Sequence, residues 1–144
     1  MLFRSELERM ASDLPVRFLG QLSQGDAQDQ ISHARLLVLP SECFEGFPMV
    51  IREAFAFGTP AAVSNLGPLP NIVQHDATGV VFQAASPESL LHEIREAWNT
   101  HGLLEQLGQG ARREFETKYT EDSNYATLMD IYEQALAVNK GRSI

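Results

Sequence analysis

Residues 40–60 constrain this chain more than any other stretch, because they read as a strand end, a tight loop, a buried helix and the start of the next strand. The helix is predicted to begin at Pro48 or Met49, since the missing N–H of a proline would lack a partner at a first helical position anyway. Gly58 and Pro60 are predicted to end it. The helix is apolar almost all round, which favours burial between layers. Its apolar residues are Met49, Val50, Ile51, Ala54, Phe55, Ala56 and Phe57.

Two carboxylates interrupt this apolar stretch: Glu45 precedes the helix, and Glu53 lies inside it after seven intervening residues. Because an unpaired buried carboxylate is costly, Glu53 needs a partner or a polar ligand. The helix N-terminus offers N–H groups at Gly46, Phe47 and Met49 that suit a phosphate, and carboxylates accept hydrogen bonds from sugar hydroxyls. The pattern therefore suits a nucleotide-sugar. It suits equally a Glu45 that only favours the helix N-terminus and a Glu53 that pairs with a surface cation.

The same residues resemble the signature of the family-four, or group 1, glycosyltransferases, whose donor-binding half carries Glu-x7-Glu followed by Ala-x-Ala-x-Gly-x-Pro. Here the motif runs from Glu45 through Glu53 to Pro60, and the resemblance extends from about Val16 to about Tyr132. It implies an α/β fold, with a Rossmann-like parallel sheet and flanking helices. Residues 1–144 would then form a single nucleotide-sugar-binding domain, the incomplete C-terminal half of a two-domain GT-B enzyme.

The resemblance also implies a function and roles for individual residues. The enzyme would transfer a sugar with retention of configuration from a nucleotide-diphosphate sugar to an acceptor that the sequence does not specify. Glu53 would hold the donor ribose, and Glu45 would lie against the donor sugar as the catalytic carboxylate. No metal ion and no cofactor besides the donor substrate is expected. The implied donor-binding residues are Glu53, Gly46, Phe47, Pro48, Met49, Gly20, Gln21, Leu22 and Ser41.

Composition narrows the classes of partner and compartment. The 144 residues, 44% apolar and 21% charged, suit one globular domain. The formal net charge of −8 makes nucleic acid an unfavourable partner. The single Cys43 excludes an internal disulfide framework and favours a reducing, cytoplasmic compartment. No signal peptide or membrane-spanning run is recognisable, and contact with a membrane surface is left open.

The order of the predicted elements indicates a parallel sheet with right-handed crossovers, because strands alternate with helices. Strands are predicted at 16–20, 36–39, 61–64 and 79–82. Helices are predicted at 2–12, 27–34 and 49–57, as at most one turn at 71–74, from Ser86-Pro87 to about Trp98, and along the apolar stripes 103–115 and 125–136. These stripes are expected to pack in the core.

The four strands match the third to sixth strands of the family's domain, whose sheet order is 3-2-1-4-5-6. The opening strands, with the cations that grip the diphosphate, and the N-terminal acceptor domain would then be missing. The chain is therefore expected to be a truncated or excised piece that is inactive alone. Strand 16–20 would pair with 35–39, pair with another chain, or leave a gap, which favours a homodimer of edge-paired or swapped segments.

Two other function classes stay open. The loop Gly67-Pro68-Leu69-Pro70-Asn71 departs from the family pattern, since Pro68 removes an N–H and Asn71 replaces an acid. This departure favours a degenerate, non-catalytic module that binds a nucleotide or a protein. A receiver-type signalling domain ranks last, because it needs acidic residues after its first strand, where this chain has Gly20, Gln21 and Leu22.

Overall fold

The computed structural model describes residues 4–140, which form three strands and seven helices. The strands are β1 (Leu37–Leu39), β2 (Ala61–Ser64) and β3 (Gly79–Phe82). The helices are α1 (Arg4–Met10), α2 (Gln24–His33), α3 (Met49–Ala56), α4 (Leu69–Ile72), α5 (Pro87–Asn99), α6 (Leu103–Lys118) and α7 (Glu121–Lys140). This alternation confirms the predicted α/β class.

The sheet is parallel, and its strands lie in the order β1-β2-β3. In the middle of the sheet, Val63 pairs with Leu39 on one side and Val81 on the other. All four residues of β2 are buried, as expected for a continuous apolar strand covered on both faces. The order matches the fourth, fifth and sixth strands of the family's sheet.

Helices cover both faces of the sheet. On one face, α3 and α6 enclose a core that includes Ile51, Phe55 and Val63. On the other face, Ala62 and Val80 pack with residues of α5 and α6. Because successive residues of a strand point to opposite faces, β2 contributes to both cores.

The helix starts follow local capping chemistry. The Ser86 hydroxyl accepts a hydrogen bond from the Ser89 amide at 3.2 Å, so α5 begins at Pro87 as predicted. The Ser23 hydroxyl caps α2 in the same way, and α2 therefore begins at Gln24, three residues before the predicted start. Helix α3 begins at Met49, one of its two predicted starts. The single turn predicted at 71–74 lies at 69–72 instead.

The predicted strand at 16–20 is wrong, because these residues form no strand and pair with neither β1 nor any other described segment. A strand exists only through its neighbours, and those expected beside 16–20 are absent from the described residues. Its apolar side chains Val16, Phe18 and Leu19 are 53%, 37% and 43% exposed. The opposite edge of β1 has no partner strand among residues 4–140 either.

Three apolar helices are less buried than predicted. Helix α3 buries Ile51, Ala54 and Phe55, but Met49 and the C-cap residue Phe57 are 49% and 46% exposed, so the predicted helix is covered on one face rather than all round. Leu7 and Met10 of α1 are exposed, and Leu2 and Phe3 lie outside the described residues. The expected core stripe of α7 is exposed along its length: Tyr125, Leu128, Met129, Tyr132 and Leu136.

Helix α6 packs so closely on Ala77 at Gly110 that a Cβ at this position would clash with the Ala77 carbonyl oxygen. We expect Gly110→Ala to lower the free energy of unfolding by about 1–3 kcal/mol, the usual cost of overpacking. Gly25 in α2 is the matched control, because nothing lies within 4 Å of a Cβ there. Gly25→Ala should instead stabilise by up to about 1 kcal/mol through helix propensity. Urea unfolding measures both, and equal effects would contradict this packing.

The open edge of β1 predicts that the chain associates with a second copy. An unpaired strand edge tends to recruit another chain, so we expect the chain to sediment as a homodimer at micromolar concentration. Val38, on β1, is 40% exposed, and Val38→Lys should shift the equilibrium to monomer. Leu91→Lys, which changes an exposed leucine of α5, is the control. A parent chain that sediments only as monomer would refute the dimer.

Candidate functional site

The loop that follows β1 fixes the first of the two glutamates. The Ser41 hydroxyl donates to Glu45 Oε1 at 2.9 Å, and Cys43 Sγ lies 3.9 Å from the same oxygen. Both Ser41 and Glu45 are half-buried. The second oxygen, Oε2, accepts no hydrogen bond from residues 4–140, so one side of the carboxylate is anchored and the other is available to a ligand.

The loop then leads into the N-terminus of α3. Pro48 occupies the N-cap position without a side-chain hydrogen bond. The Ile51 amide donates to the Pro48 carbonyl at 3.1 Å, whereas the amides of Met49 and Val50, at the first two helical positions, have no intrahelical acceptor and are available to an anion. Gly46, Phe47 and Met49 are exposed. The Phe47 ring packs edge-to-face on Tyr119, with 5.6 Å between centroids, which ties the loop to the turn between α6 and α7.

Glu53 lies in a cleft of about 440 Å³ that is bounded by α2, α3 and the α6–α7 turn. Gln24 and Gln28 contribute amide groups to its wall, and Phe115 and Tyr119 contribute aromatic rings. Among the described residues, no ion pair includes the half-buried Glu53, although Arg52 lines the same cleft. The cleft therefore offers a carboxylate acceptor beside aromatic surface, and it does not include Glu45.

The predicted base-binding residues lie on the segment that enters α2. Gly20 has a left-handed φ of +72°, and the Arg4 guanidinium lies against it. Gln21 is exposed and Leu22 half-buried. None of these three residues contributes to the wall of the Glu53 cleft. Gln24, two residues after Leu22, does contribute to it. The structure thus puts these residues beside the cleft rather than in it.

The loops after β2 and β3 complete this end of the sheet. The side-chain oxygen of Asn65 accepts from the Ala84 amide at 2.9 Å, joining the two loops. The Phe44 ring packs on Gly67 so closely that a Cβ there would come within 2.8 Å of it. Pro68 precedes α4, and Asn71 is exposed. The carboxyl end of the sheet is where ligands bind in open α/β folds.

A larger cleft, of about 640 Å³, lies at the amino ends of the strands. Two of its three arginines are engaged already: Arg112 donates to the Ala56 carbonyl and pairs with Glu116, and Arg35 lies 3.5 Å from Glu105. This cleft also lies away from both motif glutamates, so the carboxyl end of the sheet remains the candidate site.

Sequence reasoning missed two residues of the site, Ser64 and Tyr119. Buried Ser64 donates its hydroxyl to the Ser41 carbonyl oxygen at 2.8 Å. Ser64 ends β2, and Ser41 follows the neighbouring parallel strand β1. Pairing of these two strands, which the order of elements suggested, could therefore have indicated the contact. Tyr119 lies between α6 and α7, and no pattern within that segment reveals its contact with Phe47.

A comparison with family models matches residues 5–114 to the glycosyl transferases group 1. The chain belongs to the group 1 glycosyltransferases. An uncharacterized glycosyltransferase of Methanocaldococcus jannaschii is 28% identical over 137 residues, which cover 92% of this chain and 35% of that protein. This chain thus spans about a third of the length of that relative.

Solved structures agree with the family assignment in their fold. The crystallised C-terminal domain of a group 1 glycosyltransferase from Francisella tularensis superposes with a TM-score of 0.72 at 20% identity, covering 82% of this chain and 63% of that one. Anabaena HepE in complex with UDP-glucose gives a TM-score of 0.78 at 19% identity, covering 90% of this chain and 36% of that one. This group 1 glycosyltransferase chain therefore has the architecture of a C-terminal GT-B domain. None of its described helices has the length and apolar character needed to span a bilayer.

The pH dependence of the free energy of unfolding tests whether Tyr119 packs against the Phe47 loop. Burial, with a smaller contribution from the Glu114 carboxylate, raises the pKa of the Tyr119 phenol above its ordinary value of 10.0. The folded state therefore loses stability as pH rises above about 10, because the phenol of the unfolded chain ionises first. In Tyr119→Phe, which keeps the ring, the alkaline decline in the free energy of unfolding should be smaller.

Urea unfolding between neutral and alkaline pH measures this difference. Tyr125→Phe, which changes an exposed ring of the same type, is the matched control. An alkaline decline in Tyr119→Phe as steep as that of the parent would show that Tyr119 is not buried against the loop.

Proposed function

We propose that this chain is the donor-binding half of a retaining glycosyltransferase and that it binds a nucleotide-diphosphate sugar at the carboxyl end of its sheet. The observation that carries the proposal is the arrangement of the paired glutamates. Glu45 is anchored in the loop after β1, Glu53 lines a cleft against α3, and the uncapped N-terminus of α3 lies between them in sequence.

Each part of such a donor meets a suitable group. The two ribose hydroxyls donate to the Glu53 carboxylate, and the donor sugar lies against Glu45. The diphosphate faces the backbone amides near Gly46, Phe47 and Met49, where the positive end of the helix dipole favours an anion. Pro48 shapes this turn without an N–H of its own, and Ser41 stands behind Glu45. The base lies towards Gly20, Gln21 and Leu22.

The catalytic contribution of this half is electrostatic. Charge develops on the departing diphosphate during sugar transfer, and preorganised N–H groups stabilise such charge. The family match and the UDP-glucose complex of structurally similar HepE support this role. The acceptor and the remaining diphosphate-binding cations are proposed to belong to the part of the enzyme beyond this third of the relatives' length.

A non-catalytic nucleotide-binding module is the second candidate, and one specific observation favours it. The loop after β2 contains Pro68, which has no N–H, and the Phe44 ring covers Gly67. Fewer amides of this loop are then available to a donor sugar. Such a module would bind a nucleoside diphosphate as tightly as the corresponding nucleotide-sugar.

Glu53→Ala tests the assignment of the ribose. The substitution removes hydrogen bonds from two hydroxyls to a charged group, a loss of about 1.5–3 kcal/mol, so the affinity for UDP should fall roughly 10- to 150-fold. Isothermal titration calorimetry measures it. Glu96→Ala, on the opposite face of the sheet in α5, is the control and should leave UDP affinity unchanged.

Two results of this titration would count against the proposal. If Glu53→Ala bound UDP as tightly as the parent, the ribose would not lie on Glu53. If the parent bound none of the common nucleoside diphosphates, the chain would not be a donor-binding half at all.

The purified chain alone should not transfer sugar, because the proposed acceptor site and cations lie outside it. Incubation with UDP-glucose and a panel of acceptors, followed by measurement of released UDP, checks this. The control is a full-length group 1 glycosyltransferase under the same conditions. Transfer by the chain alone, with no second protein, would contradict the division of roles.

A further inference from the structure

Two serines link the central strand to Glu45. The Ser64 hydroxyl donates to the Ser41 carbonyl oxygen at 2.8 Å, and the Ser41 hydroxyl donates to Glu45 Oε1 at 2.9 Å. Ser64 is fully buried at the end of β2, where its backbone pairs with Phe82 of β3. The chain of contacts therefore begins at one of the most constrained positions of the fold and ends at a half-buried carboxylate.

The first contact fixes the backbone of the loop. Regular pairing of β1 with β2 ends at Leu39 and Val63, and beyond it the Ser64 hydroxyl holds the Ser41 carbonyl. Because carbonyl and side chain leave the same residue, fixing the Ser41 backbone also restricts where the Ser41 hydroxyl can lie. A buried donor left without its acceptor is costly, which keeps this contact formed.

The second contact sets the direction of the carboxylate. Oε1 of Glu45 accepts from Ser41 and lies 3.9 Å from Cys43 Sγ, whereas Oε2 accepts nothing from the described residues. A carboxylate held by one oxygen presents the other in a fixed direction. When a ligand hydroxyl binds Oε2, the Glu45 side chain then loses less conformational entropy than a freely rotating glutamate would.

We infer that Ser64 is a positioning residue that acts through Ser41 to aim the Glu45 carboxylate at the donor sugar. Ser41 accordingly serves Glu45 rather than contacting the donor itself. The inference rests on the proposed function, since it takes the sugar to be the ligand of Glu45. It separates recognition of the sugar from recognition of the nucleotide, which belongs to Glu53.

The test compares the affinities of UDP-glucose and UDP in Ser64→Ala, Ser41→Ala and the double variant, by calorimetry. Each single variant should reduce the preference for UDP-glucose over UDP by roughly three- to tenfold, as expected for one hydrogen bond, with UDP affinity unchanged. The double variant should lose little more than Ser41→Ala, because both serines act along one path. Ser41→Thr, which keeps the hydroxyl, should restore the preference.

Thr59 provides the matched control at the other end of the central strand. Its buried hydroxyl donates to the Ile31 carbonyl at 2.9 Å, so Thr59→Val removes a comparable hydrogen bond far from Glu45. This variant should lose stability, as Ser64→Ala does, and keep the parent's preference for UDP-glucose. An equal loss of preference in Thr59→Val and Ser64→Ala would reduce the role of Ser64 to stability and overturn the inference.

A second measurement needs no ligand. With ¹³C-labelled glutamate, the side-chain carboxyl chemical shift of Glu45 at fixed neutral pH should change in Ser41→Ala, change in the same direction in Ser64→Ala, and stay constant in Thr59→Val. A constant Glu45 signal in Ser64→Ala would overturn the positioning role. If the parent binds neither UDP nor UDP-glucose, the proposed function fails, and the carboxyl signal still decides whether Ser64 positions Glu45.

Discussion

Strand β2 is hydrogen-bonded on both edges and buried on both faces, and the rest of the structure depends on that position. Parallel pairing aligns the carboxyl ends of three strands, so the loops carrying Glu45, Asn65 and Ala84 meet at one edge of the sheet. Close approach of β3 requires Gly79, because a Cβ there would clash with the Ala61 carbonyl oxygen. The strand also ends in Ser64, whose hydroxyl reaches the loop that holds Glu45.

The sequence correctly predicted the strands whose partner strands lie in the same chain. The apolar runs 36–39, 61–64 and 79–82 form strands within one residue of their predicted bounds, since each lies beside another strand of the same chain. Residues 16–20 have an equally apolar pattern and form no strand, because the pattern does not reveal whether a partner is present. The burial predicted for α7 is wrong for the same reason. Its apolar stripe indicates which face would be covered, but not which segment would cover it.

The candidate site divides along a similar line. The sequence marks Glu45 and Glu53 as candidate carboxylates, and Pro48 predicted the helix start at Met49, which lies between them. Contacts between distant segments were beyond the sequence, because they depend on strand neighbours and helix packing. The hydrogen bond from Ser64 to Ser41 joins residues 23 positions apart. The Phe47–Tyr119 contact joins the loop before α3 to the turn after α6. A pattern within one segment predicts chemistry, whereas its orientation comes from elsewhere in the fold.

The exposed apolar surfaces of α7, of residues 16–20 and of the β1 edge accompany a chain that spans about a third of a relative's length. By contrast, Glu45 accepts a hydrogen bond from Ser41, and Glu53 lines a cleft formed by described residues, which is why we propose donor binding for this part. A crystal structure of the chain with UDP-glucose tests that claim most directly. We expect the ribose hydroxyls to lie on Glu53 and a glucose hydroxyl on Glu45 Oε2. A nucleotide bound instead in the larger cleft beside Arg35 and Arg112, with both glutamates untouched, would contradict it.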